Sequence, residues 1–163
     1  MIKQVNRRSF LRSGLGAAGI MAFSPSIILA SSPNQENDII YRTLGKTGLK
    51  IPVISFGVMR ADNPGLCKAA YEKGIKLFDT ANVYQNGNNE TMLGNVLKEY
   101  PRDSFFLATK IKAGGLDKEG KPTKQTTTDD FLEKFNISLS RLQMDHVDIL
   151  YVHNVNNPEV LSC

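Results

Sequence analysis

Four short apolar runs, at residues 53–58, 75–78, 104–109 and 147–152, alternate with segments of helical periodicity, and this alternation constrains the fold more than any other feature of the chain. Strands joined through helices run parallel, because a helical crossover returns the chain to the same end of the sheet. Asn63 caps the first helix with Pro64 at its first position, and the helix runs to about Lys73, where Gly74 supplies a left-handed stop. The second helix, 90–100, carries Leu93, Val96 and Leu97 at helical spacing and ends before Pro101. The third, 129–142, gathers Phe131, Leu132, Phe135, Leu139 and Leu142 on one face. The run 104–109 reads as a strand buried on both faces. Ahead of these units, 39–42 and 49–51 flank Gly45-Lys46-Thr47-Gly48, a hairpin signal, and 112–127 is a loop rich in Gly, Lys and Thr.

Residues 1–30 stand apart. Arg7-Arg8 leads into a glycine-rich, weakly apolar run, which resembles a twin-arginine export signal with cleavage expected after Ala30. The expectation is a bacterial protein of the periplasm or cell envelope that keeps no membrane span. An uncleaved anchor is the other reading, but 14–30 is at the short limit for a span and Ser24-Pro25 interrupts it. The polar residues 31–38 read as a linker, which leaves 39–163 as the folded domain. Four of the 20 basic residues, Lys3, Arg7, Arg8 and Arg12, lie in the first thirty, where there is no acid. The remaining 16 balance 16 acidic residues, so the domain has no basic excess to suggest nucleic acid as a partner. Two cysteines, Cys67 and Cys163, are too few for a disulfide framework or a four-thiolate metal site.

Three strands end in a residue able to do chemistry. Asp79 closes the second, Lys110 the third and His153 the fourth, with Tyr84 in the loop after Asp79. In a parallel sheet all four then occupy the carboxyl edge, where barrels and doubly wound sheets build their sites. This set suits proton donation to a carbonyl oxygen. A phenol, with an ordinary pKa of about 10, is a poor acid at neutral pH, and a neighbouring ammonium favours its phenolate. Lys110 would tune Tyr84, Asp79 would hold Lys110 charged and aimed, and neutral His153 would donate a hydrogen bond to the oxygen on which charge develops.

With these residues in place the chain resembles the N-terminal half of an aldo/keto reductase. The matching pieces are Arg42-Thr-Leu-Gly-Lys-Thr-Gly-Leu-Lys-Ile-Pro52, Phe56-Gly57, Phe78-Asp79-Thr80-Ala81 with Tyr84, Asn89-Glu90 with Leu93-Gly94, Ala108-Thr109-Lys110, and Ser138-Leu-Ser-Arg141-Leu142 running on through Asp148 to His153. The resemblance covers residues 40–154. It implies a (β/α)8 barrel of the TIM type and reduction of aldehyde or ketone carbonyls with NADPH as hydride donor. Tyr84 would be the general acid, Lys110 and Asp79 its tuners and His153 the carbonyl orienter, with Gly57 and Met59 lining the nicotinamide end.

Two departures carry expectations. The stretch Gln85-Asn86-Gly87-Asn88-Asn89 between Tyr84 and Glu90 is expected to shape a different substrate pocket. A (β/α)8 barrel needs about 250 residues, whereas 133 (163 minus 30) follow Ala30. The chain is therefore expected to be a truncated half: four βα units preceded by a hairpin, with the main cofactor grip in later strands. Its two open sheet edges would favour self-association. An inactive fragment and a non-catalytic periplasmic binding module are the alternative functions. Of the remaining motifs, Gly115 to Lys121 has phosphate-loop spacing but fails at Pro122, where Ser or Thr and an immediate helix are required. His146 and His153, seven apart, point to opposite strand faces, and Glu90 has a cofactor contact as one reading and the offsetting of a helix dipole as the plainer one, which is the role assigned.

Overall fold

The computed structural model describes residues 39–162. Residues 1–30, where an export signal is expected, the expected linker 31–38 and Cys163 lie outside the described residues. The domain opens with an antiparallel hairpin, β1 (Tyr41–Thr43) against β2 (Lys50–Pro52), closed by a turn in which Gly45 and Gly48 both take positive φ. Four parallel strands follow, β3 (Phe56–Gly57), β4 (Leu77–Asp79), β5 (Phe106–Ile111) and β6 (Ile149–Val152), in a sheet whose spatial order is the chain order. Between them run α1 (Pro64–Glu72), α2 (Asn88–Leu97) and α3 (Thr128–Leu142). This is a partial α/β fold with the topology of half a TIM barrel. Among the described residues no helix is long and apolar enough to cross a membrane.

The helix boundaries follow the capping chemistry of the sequence. The Asn63 side chain accepts from the Gly65 amide at 2.8 Å, and Gly74 takes φ +88° just past the end of α1. Thr127 caps α3 by accepting from the Asp130 amide, Asp129 and Asp130 face the positive end of its dipole, and Arg141 lies in its last turn. Strand boundaries moved further from expectation, because a strand extends only as far as its partner does. The first half of the run 53–58 stays with the hairpin: Pro52 pairs with Tyr41 and the Val53 amide donates to Ile40, leaving Phe56–Gly57 alone as β3. β5 starts later than the apolar run 104–109 and continues to Ile111, because Lys110 and Ile111 have partners in Tyr151 and Val152. Lys110 is thus inside its strand, one residue short of the end. β6 begins at Ile149, and the Asp148 carboxylate just before it accepts from the Leu107 amide and from Arg102.

The core lies between the sheet and its helices, where Phe78 and Leu107 pack with Cys67 and Ala70 of α1, Leu93, Val96 and Leu97 of α2 and Leu142 of α3. Each large apolar side chain here contributes about 1.5–3 kcal/mol. Leu150, Tyr151 and Val152 of β6 are exposed among the described residues. The helices α2 and α3 approach closely: a Cβ at Gly94 would stand 2.5 Å from the Leu142 carbonyl oxygen. Gly94→Ala is therefore expected to force the two helices apart and destabilise the domain by about 1–3 kcal/mol, read as a lower urea midpoint with an unchanged slope.

Candidate active site

The register of the parallel strands brings the chemistry-bearing residues together. Gly57 is paired with Asp79, and Asp79 with Ala108, so Lys110, two residues beyond Ala108, shares their face. Lys110 is paired with Tyr151, and His153, two residues further on, shares that face again. The His153 amide prolongs the ladder by donating to the Ile111 carbonyl at 2.9 Å. The odd residue between, Thr109, faces the helices.

The Lys110 ammonium is held on three sides. It forms an ion pair with Asp79 Oδ1, donates to the Thr80 carbonyl at 2.8 Å and reaches Tyr84 Oη at 3.5 Å. The Tyr84 ring meets the His153 imidazole edge to face, with centroids 5.6 Å apart at 85°. Burial pushes the His153 pKa below its ordinary value, and the Lys110 and Lys112 cations push it the same way against a smaller opposing pull from Asp79. The His153 Nδ1 atom is buried without a hydrogen-bond partner. An imidazolium would have to donate from both nitrogens, so this orphaned position also favours the neutral ring. Four of the six expected site residues, Asp79, Tyr84, Lys110 and His153, thus form one connected cluster. Gly57 stands beside it in register with Asp79, and nothing lies within 4 Å of where its Cβ would be. Met59 is exposed two residues further on.

A second layer escaped the sequence reading. Glu90, assigned there to the helix dipole, is fully buried: its Oε1 accepts from Thr109 Oγ1 at 2.7 Å and its Oε2 pairs with Arg141 Nη1 at 3.3 Å. Its neighbour Asn89 is buried too, accepting from Thr80 Oγ1 at 2.7 Å and donating to the Val58 carbonyl at 2.6 Å. The signal that could have found this layer is Arg141, a charge three residues from Ser138 and next to Leu142 on the inward face of α3. The phosphate-loop spacing at 115–121 is occupied otherwise, since Asp117 Oδ1 accepts from the Glu119 and Lys121 amides. That loop and the segment after His153 border an open cleft of about 700 Å³ lined by Lys112, Lys118, Asn154 and Asn156 among others.

Residues 58–161 match the model of the aldo/keto reductase family. The chain belongs to that family. Its fold is similar to the crystal structure of a thermostable aldo-keto reductase, Tm1743, in complex with the inhibitor epalrestat, at 27% identity and a TM-score of 0.62 over 76% of this chain and 47% of that one. It is similar to the aldo-keto reductase AKR11C1 from Bacillus halodurans in its holo form, at 26% identity and a TM-score of 0.59 over 76% and 44%. In fold it also matches an aldo-keto reductase from Klebsiella pneumoniae in complex with NADPH, at 21% identity and a TM-score of 0.54 over 76% and 44%. The chain spans less than half the length of each of these proteins.

The histidine offers a direct check on this aldo/keto reductase cluster. A lowered native pKa means that neutral His153 contributes stability fully present above pH 6.5 and lost as pH falls through the lower native value. An NMR titration of the His153 imidazole is expected to show a midpoint below 6.5. Lys110→Met should raise that midpoint, because it removes one of the two cations that lower it, and Asp79→Asn should lower it further, because it removes the carboxylate that opposes them.

Proposed function

We propose that this protein is an oxidoreductase that reduces aldehyde or ketone carbonyls of small molecules with NADPH, with Tyr84 as the proton donor. The observation that carries the reading is the single cluster in which one ammonium, Lys110, lies within 3.5 Å of the Tyr84 phenol oxygen while ion-paired to Asp79. Family membership and the NADPH present in the Klebsiella pneumoniae structure support the cofactor. The open space over Gly57, beside Asp79 at the sheet edge, fits the flat face of a nicotinamide, and Met59 would border it.

Held beside Gly57 and Met59, a reduced nicotinamide would supply the hydride for the carbonyl carbon. Tyr84 gives its proton to the carbonyl oxygen, so that with one hydride and one proton gained the substrate leaves as the alcohol. Lys110 stabilises the phenolate that remains, and Asp79 keeps the ammonium aimed and charged. His153, held neutral by burial and by the two lysines, donates a hydrogen bond to the same oxygen and stabilises charge as it develops there. Substrate would reach this edge from the cleft bordered by Lys112 and Asn154. The open edges of β3 and β6 are the expected sites of self-association, and the twin arginines the expected route out of the cytoplasm. Replacing Arg7 and Arg8 together by lysine should hold the protein in the cytoplasmic fraction.

Titration of NADPH fluorescence with the purified chain, beside light scattering for assembly, tests the reading. Saturable binding to a soluble species is expected if the residues of this chain hold the cofactor, and absence of binding would overturn the proposed activity for this chain. Tyr84→Phe should keep that binding and lower carbonyl reduction by about 10²-fold or more. A Tyr84→Phe protein that turns over like the native one removes the tyrosine from the chemistry.

A further inference from the structure

Nothing in the four-residue cluster itself explains what keeps Tyr84 at its distance from Lys110. The tyrosine sits on a short turn, and the residues that follow it, Gln85 (φ 48°), Asn86 (φ 55°) and Gly87 (φ 90°), are all left-handed. The turn has hydrogen bonds of its own, from the Tyr84 amide to Ala81 at 3.1 Å and from the Asn86 amide to Val83 at 3.3 Å, and the Asn82 amide donates to the Lys110 carbonyl at 3.0 Å. One cation of α3 adds a grip from outside the loop. Arg141 Nη1 donates to the Asn82 carbonyl at 3.1 Å, two residues before Tyr84. The same guanidinium fills the place a side chain at position 87 would take, since a Cβ on Gly87 would lie 2.2 Å from Arg141 Cζ. The tyrosine turn is therefore gripped on both sides of Tyr84.

The other end of the grip reaches Lys110. Arg141 pairs with Glu90 Oε2, and Glu90 Oε1 accepts from Thr109, the residue before Lys110, on the opposite face of β5. A fully buried carboxylate with two fixed partners is a rigid joint, because displacing either partner leaves charge or a lone pair unsatisfied away from water. It joins the strand that carries the ammonium to the cation that carries the phenol's turn.

We propose that Glu90 and Arg141 are positioning residues that set the placement of Tyr84 against Lys110 and His153. Their importance for turnover rests on the reading of Tyr84 as proton donor, whereas the placement itself does not. A purely structural pair would alter stability and leave the Tyr84 ring where it is.

His153 reports on that ring. The edge-to-face contact at 5.6 Å puts the imidazole protons within the ring current of Tyr84, and the chain has only two histidines, so the signals are assigned by comparison with His153→Asn. Tyr84→Leu gives their positions without a ring. Glu90→Gln/Arg141→Met removes both charges together and leaves none unpaired in the core, so it is the variant expected to stay folded by circular dichroism. Its His153 signals should move at least halfway toward the Tyr84→Leu positions, while Lys68→Met, at the exposed pair with Glu99, should leave them alone. Arg141→Lys keeps a charge for Glu90 but lacks the planar fork that spans Asn82 and Gly87, and should shift the signals in the same direction by less. In the carbonyl assay the double variant should lose kcat by up to about 10²-fold with KM little changed. Unmoved His153 signals in a folded double variant, or in Arg141→Lys, overturn the positioning role. Moved signals in a chain whose native form reduces no carbonyl sustain the positioning role and defeat only the functional reading.

Discussion

The site depends on the register of a parallel sheet. The strand residues of this site are placed by backbone pairing that involves none of its chemistry-bearing side chains: Gly57 against Asp79, Asp79 against Ala108, Lys110 against Tyr151. A slip of one residue in any of these pairings would send the affected side chain to the helix side. Two features resist such a slip. The Asp148 carboxylate accepts from the Leu107 amide and from Arg102, which ties the start of β6 to β5, and the alternation along β5 puts Leu107 and Thr109 against the helices while Lys110 faces the other way. Packing that stabilises the fold therefore also decides which way the ammonium points.

On the helix side the same strand meets a charge that packing alone would not tolerate. Removing a carboxylate such as Glu90 from water costs several kcal/mol unless its partners are well placed. The partners here are one hydroxyl from β5 and one guanidinium from α3, so the carboxylate is satisfied only when strand and helix are both seated. That makes the pair a check on assembly. It also explains the glycines around it: Gly87 leaves room for the guanidinium, and Gly94 lets the Leu142 end of α3 come close enough to deliver it.

The sequence was most informative where a property is local. The cap at Asn63 and the stop at Gly74 each declare themselves within a few residues, and both appear in the fold. The joint presence of Asp79, Tyr84, Lys110 and His153 at one edge was legible for the same reason, since parallel strands bring their ends together whatever lies between. Boundaries were less so. Residues 53–55 are as apolar as a strand requires, yet the Val53 amide is taken by Ile40, and only the partner's position reveals that. Glu90 was the largest gap: an acid in the first turn of a helix already has a sufficient local explanation, and its true partner, Arg141, lies on a helix distant in sequence.

The turn after Tyr84 shows how strain and support divide between near and far residues. A left-handed conformation costs about 1–2 kcal/mol at an ordinary residue, less at asparagine and almost nothing at glycine, so Gln85 carries most of the strain in this turn. Local hydrogen bonds, from the Asn86 amide to Val83 at 3.3 Å and from Thr91 to the Gly87 carbonyl at 3.3 Å, offset only part of it. The remainder is met by contacts from α3, outside the loop. A loop stabilised in this way can change its own residues at positions 85, 86 and 88 without moving the tyrosine, provided that Gly87 still admits the guanidinium. Positions 85, 86 and 88 are thus free to vary at the rim of the site while the phenol stays where the strands and Arg141 hold it.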